Sequence, residues 1–155
     1  MPASKKGGYL TLHIQLLNAR LFNYLLAADG RALYSAEQGK ILSSLWEKEP
    51  QTATELAGHT GLANNTLTAM LKRLMDQKLI QCLSHPKDKR KKLYTLTALG
   101  KEQEIIGDKV SHQLADIFYQ GFSEEEIEQA DGYLERILHN LEDGLKRKKE
   151  NNHKN

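Results

Sequence analysis

A chain of 155 residues, 39% apolar and 27% charged, is long enough for one packed domain, or one domain with appended helices, and its composition is that of a water-soluble globular protein. No apolar stretch reaches the length of a membrane span, and the N-terminal apolar run is broken by His13, Gln15, Asn18 and Arg20, which excludes a signal peptide on this reading. The lone cysteine, Cys82, excludes an internal disulfide and fits a reducing, cytoplasmic setting, while the net charge of +2 by itself selects no partner.

The first predicted element is a helix over about 9–28, with Leu10, Ile14, Leu17, Leu21 and Leu25 on one stripe and Leu12, Leu16 and Phe22 nearby. Helices then follow over about 35–48 and 52–59, each opened by a capping box, Ser35–Gln38 and Thr52–Glu55. In such a box a hydroxyl and a carboxamide or carboxylate satisfy orphan backbone donors reciprocally. Gly61 supplies a left-handed turn after the third helix, and a fourth begins near Asn64 and runs to about residue 77. Two short helices joined by a few residues including glycine form the helix-turn-helix pattern.

In the fourth helix Leu67, Met70, Leu71 and Leu74 make one apolar stripe at helical spacing. The opposite face holds Asn65, Ala69, Lys72 and Asp76, flanked by Thr68 and Arg73. Its early turns offer amides and hydroxyls suited to base edges, its later turns cations suited to phosphates. An amphipathic surface helix would look the same in isolation; the short helix before it and the basic hairpin after it tip the balance.

Strand-like segments over roughly 79–84 and 92–96 flank the turn "SHPKDKRKK", the densest positive charge in the chain. From Asn64 to Lys92 eight basic residues stand against two acidic ones, a surplus of six in a chain whose total is only +2. A basic segment within an otherwise acidic protein is the electrostatic footprint of polyanion binding. Further helices are predicted over 97–119 and, after a capping box at Ser123–Glu126, over 124–147. Ile127, Ala130, Leu134, Ile137 or Leu138, Leu141 and Leu145 form a stripe on the last one, and the tail "KRKKENNHKN" is expected to fray. The fold class is thus mainly α with a small antiparallel β-hairpin.

Residues 52–100 resemble the winged helix-turn-helix core of the MarR family of bacterial transcriptional regulators. The resemblance rests on "ELA" in the first short helix, "TLTAMLKRL" in the second, "DKR" at the wing tip and "LTALG" opening the next helix; helix order extends it to about 9–147. It implies a homodimer bound to a pseudo-palindromic double-stranded DNA operator, and a repressor released by a small-molecule effector. It also implies recognition-helix contacts from Asn64, Asn65, Thr66, Thr68, Ala69, Lys72 and Arg73. In the wing, Arg90 would enter the minor groove with Asp88 orienting it, while Lys87, Lys89, Lys91 and Lys92 lie near phosphates. Pro86 would set the approach to the turn and stop the edge strand from pairing further.

Three positions depart from the family pattern. Ala63 stands where a hydroxyl residue commonly starts the recognition helix, so capping is expected to pass to Asn64. Lys78 replaces the glycine usual before the hairpin, and Cys82 replaces a frequent arginine, removing one phosphate contact.

Because long apolar stripes sit on both end helices, segments 1–30 and 120–155 are read as dimerisation helices, with 31–119 as the winged lobe and connecting helix. No Gly-rich phosphate loop, GxSxG or HExxH occurs, and the six histidines are scattered, so no catalytic site, metal or cofactor is expected. Cys82 has no neighbouring cation in sequence on its strand and reads as structural. An effector cleft is expected from the first, second and fifth helices, without chosen residues. The alternative function is a winged-helix module for protein–protein contact, without specific DNA binding.

Overall fold

The helical periodicities resolve into α1 (Gly7–Ala28), α2 (Ala36–Glu47), α3 (Ala53–Thr60), α4 (Asn64–Asp76), α5 (Ala98–Phe118) and α6 (Glu124–Lys154) in a computed structural model that describes residues 4–154. The predicted hairpin forms as β2 (Ile80–Ser84) and β3 (Lys92–Leu96), antiparallel, with Cys82 opposite Tyr94 and Ser84 opposite Lys92. A third strand is not legible in the sequence. β1 (Gln51–Thr52) pairs with the other edge of β3, Gln51 opposite Tyr94, giving the sheet order β1–β3–β2. Two residues carry no alternation to read, and Thr52 doubles as the N-cap of α3.

All three expected capping boxes form. Ser35 and Gln38, Thr52 and Glu55, and Ser123 and Glu126 each exchange side-chain and backbone hydrogen bonds. Each such cap is worth about 1 kcal/mol of helix stability.

The chain divides into two compact units, the first ending at Ala115 and the second starting at Asp116. In the first, Ile41, Leu42 and Leu45 of α2 are fully buried. They belong to one cluster with Leu56 of α3, Leu67, Leu71 and Leu74 of α4, Tyr94 and Leu96 of β3, and Ile106 and Val110 of α5. Each buried leucine or isoleucine contributes on the order of 1.5–3 kcal/mol, so this cluster fixes which face of α4 turns outward. Tyr34 belongs to it too: its ring meets Trp46 edge-on, and burial followed by the charge of Asp108 pushes its hydroxyl up to about 12.

In the second unit the Tyr119 hydroxyl donates to Asp131 across the turn, and Gly121 takes a positive φ of 85° between the helices. The tail expected to fray is instead helical through Lys154; Asn155 lies outside the described residues. No proline interrupts it after Glu124, and Lys146, Arg147, Lys148 and Lys149 complement the negative C-terminal pole of the helix.

The apolar stripes of α1 and α6 each leave most of their residues exposed, while Phe22 and Leu25 near the end of α1 pack against the core. Leu10, Leu12, Ile14, Leu16 and Leu17 are exposed on α1, as are Leu134, Ile137, Leu138, Leu141 and Leu145 on α6. Among the described residues no helix is long and apolar enough to cross a membrane.

Candidate nucleic-acid interface

The turn between α3 and α4 is built from two local devices. Gly61 caps α3 at φ 74°, its N–H donating to the Ala57 carbonyl, and the Thr60 hydroxyl donates to Leu56 while accepting from Leu62 N–H. A residue with a Cβ would be strained at that φ. The turn delivers the chain to α4 with Leu67, Leu71 and Leu74 buried and Met70 half-buried, as the stripe predicted. Asn64, Asn65, Thr66, Thr68, Ala69, Lys72 and Arg73 are all exposed on the remaining surface.

The cap of α4 departs from expectation. Ala63 itself is the N-cap and supplies no side-chain bond; Asn64 is already the first helical residue. The first amides of α4 are therefore left to other acceptors, which suits a helix start exposed to polar ligands. Thr68 spends its hydroxyl proton on the Asn64 carbonyl, 2.9 Å away, so towards an external partner it offers only an acceptor and a methyl group.

The turn from α4 into β2 answers the question raised by Lys78. It adopts φ 63°, the left-handed region that favours glycine, and its carbonyl accepts from the Thr97 hydroxyl at 2.6 Å. Thr97 also donates its N–H to Leu79 and accepts from Gly100 N–H, so it ties the start of α5 to the start of the wing. Gly100 is required by this approach: a Cβ there would stand 2.1 Å from the Leu79 carbonyl oxygen. Its own carbonyl accepts from the Trp46 indole N–H at 3.0 Å. The "LTALG" motif is thus the clasp between wing and α5.

At the wing tip His85 N–H donates to the Lys91 carbonyl and Lys91 N–H to the Asp88 carbonyl, closing the turn. Asp88 Oδ1 accepts from the Arg90 backbone N–H at 3.0 Å and from Arg90 Nε at 3.3 Å. These two bonds, the backbone one foremost, hold the Asp88 carboxyl below the usual carboxylate range. The Arg90 side chain is 92% exposed, so it is aimed rather than buried. Lys87, Lys89, Lys91 and Lys92 are exposed around it. Cys82 is exposed on β2, not packed in a core.

The base of the wing and the helix-turn-helix share a residue that the sequence pattern does not single out. Gln51 of β1 is fully buried; its Nε2 donates to the carbonyls of Ser44 and Lys48, and its Oε1 faces His59 Nδ1 at 2.7 Å. The two carbonyls fix the amide, and the amide then fixes Nδ1 of His59 as the protonated nitrogen. Nothing in the local pattern marks a glutamine after Pro50 as buried.

A cleft of about 600 Å³ lies in the first unit, lined by Leu16, Ala19 and Phe22 of α1, Gly39, Lys40 and Ser43 of α2, His59 and Thr60 of α3 and Ser111 of α5. The first, second and fifth helices were expected to line such a cleft; the contribution of α3 was not. No group of three or more histidine, cysteine or acidic side chains placed to hold a metal occurs among the described residues.

Comparison with known proteins places this geometry. Residues 34–92 match the model of the MarR family. The HTH-type transcriptional regulator TcaR of Staphylococcus aureus is 28% identical over 136 residues, covering 86% of this chain and 89% of that protein. A cysteine-to-serine variant of E. coli MarR, solved in complex with operator DNA, superposes with a TM-score of 0.74 at 26% identity, over 84% of this chain and 92% of that one. Overoxidized AbfR bound to DNA gives a TM-score of 0.67 at 28% identity, covering 88% and 92%. The fold is shared also with the PcaV regulator of Streptomyces coelicolor in complex with its natural ligand, with a TM-score of 0.76 at 18% identity over 90% and 98%. By its helix-turn-helix, its wing and these likenesses, the chain is similar to regulators of the MarR family, whose model matches its residues 34–92.

Proposed function

We propose that this protein is a homodimeric, sequence-specific DNA-binding transcriptional regulator, a cytoplasmic repressor whose affinity for its operator falls when a small molecule occupies the α1–α2–α3–α5 cleft. The observation that carries the reading is the Asp88–Arg90 pair. A solvated lysine loop would need no acid to aim one arginine, whereas a guanidinium held at a hairpin tip is suited to the concentrated negative potential of a narrow minor groove. Asn65, Thr68 and Lys72 on the exposed face of α4 supply the major-groove and phosphate contacts. The exposed stripes of α1 and α6 supply the surface that a second copy covers. Nothing in the site asks for catalysis.

Selection of bound duplexes from a random library, followed by titration at several salt concentrations, tests the reading. Wild-type protein is expected to enrich a pseudo-palindrome with half-sites about one helical turn apart. Arg90→Ala is expected to lose most affinity on operators with A·T-rich flanks and little on G·C-rich flanks. Equal losses on both would leave the wing as a source of charge only. No enrichment at all would favour a winged-helix module for protein contact.

A further inference from the structure

Three glutamines form one hydrogen-bonded relay around the backbone of the loop between α1 and α2. Gln103 of α5, 4% exposed, accepts from Leu33 N–H at 2.9 Å and donates to the Arg31 carbonyl at 3.2 Å. Gln77, the C-cap of α4, donates to the Leu33 carbonyl at 3.3 Å. Gln38 of α2, 6% exposed, accepts from Ser35 N–H at 3.0 Å and donates to Gln77 Oε1 at 2.6 Å. Each amide is oriented by a backbone group at one end, so turning any one of them over sets oxygen against oxygen at the next. The loop is tethered to α5 a second time, through Asp29, whose nearly buried carboxylate binds Arg31 at 2.9 Å and lies 3.7 Å from Lys109 Nζ. Both polar groups of Leu33 are thus held by glutamines from different helices, α4 on one side and α5 on the other.

We propose that Gln38, Gln77 and Gln103 are positioning residues: through Leu33 they fix the C-terminal end of the recognition helix α4 against α5, and so set the angle at which Asn65, Thr68 and Lys72 meet DNA. The inference rests on the DNA-binding function proposed for this chain. Its physical content is a division of effects. Base-edge hydrogen bonds need donor and acceptor placed to within a few tenths of an ångström, whereas attraction to phosphates falls off gently with distance. Loosening the relay therefore costs discrimination and leaves the electrostatic part of binding intact.

Methionine variants in the full chain test this, because methionine keeps the length of glutamine while removing both hydrogen bonds. Gln103→Met is the informative one, since Gln103 has no hydrogen bond to α4. It is expected to lower affinity for the selected operator about tenfold and affinity for a scrambled duplex by less than about twofold, with a melting temperature lower by a few degrees because Leu33 N–H and the Arg31 carbonyl lose their partner. Hydrogen exchange at the amides of Gln77, Lys78 and Leu79 is expected to accelerate in the same variant. Gln77→Met, at an exposed position that tolerates the change, is expected to reproduce the operator loss and to speed exchange at the Leu33 amide. The double variant should be no weaker than either single one, whereas Lys72→Ala should add its loss to each. Unchanged exchange at residues 77–79 in Gln103→Met, or additive losses in the double variant, would overturn the relay. A wild-type protein without preference for any duplex would instead remove the DNA-binding reading, and the exchange measurements would still decide the coupling.

Discussion

Asn65 and Lys72 share the exposed face of α4 but lie nearly two turns apart, and their chemistry divides the work of that face. An amide can make paired hydrogen bonds to adenine, so Asn65→Ala is expected to cost about 1–3 kcal/mol at one base pair and to relax preference there. Lys72→Ala is expected to weaken all duplexes alike and to lower the salt slope by about one unit, which titrations from low to moderate salt would read directly. Thr68, with its proton committed to the Asn64 carbonyl, is better suited to a thymine methyl than to donating. The Asp88 carboxyl, held low by Arg90, keeps the wing-tip pair intact at neutral pH. What the pair contributes is present above the unfolded carboxylate value of about 3.9 and is lost as pH falls through the lowered folded value.

At the scale of elements, the wing is held by its hinge as much as by its ladder. Thr97, Gly100 and Lys78 bring the end of α4, the start of β2 and the start of α5 to one point. Lys78 stands at φ 63° without a glycine's freedom, at a cost of about 1–2 kcal/mol that glycine's extra entropy in the unfolded chain offsets in part. Lys78→Gly is therefore expected to raise stability by roughly 0.5–1 kcal/mol, seen as a higher denaturant midpoint with an unchanged slope. Its loss of one cation should also lower affinity slightly for every duplex. A fall in stability would mean that Lys78 makes contacts that outweigh its backbone strain.

For the whole molecule, the exposed leucines and isoleucines of α1 and α6 are the largest feature that a single copy leaves unexplained. A two-fold pairing of chains would bury them and would place two recognition helices at a fixed spacing. Removing residues 124–155 is accordingly expected to give a species that sediments as a monomer and no longer protects a pseudo-palindrome. The core of the first unit is built without α6, so the shortened chain should retain a cooperative melt. A shortened chain that still dimerised and bound tightly would assign the pairing to α1 alone.

Periodicity and punctuation alone determined a good part of this protein. The six helices, the three capping boxes, the left-handed Gly61, the β2–β3 hairpin and the buried stripe of α4 all derive from residues near one another in the chain, because their causes are local hydrogen bonds and a repeat of 3.6 or 2. The Asp88–Arg90 pair is local too, although its role was an implication of the family resemblance rather than of periodicity: two residues apart, its partners meet where the turn forms. The tertiary structure decided what depends on partners far along the chain. β1 exists only because β3 presents an open edge to Gln51, and Gly100 is needed only because the Leu79 carbonyl arrives beside it. The glutamines at 77 and 103 look like ordinary surface residues in the sequence, and Gln38 shows there only its capping role; what ties the three together is the set of distant carbonyls and amides that the fold brings within 3.3 Å of their side chains.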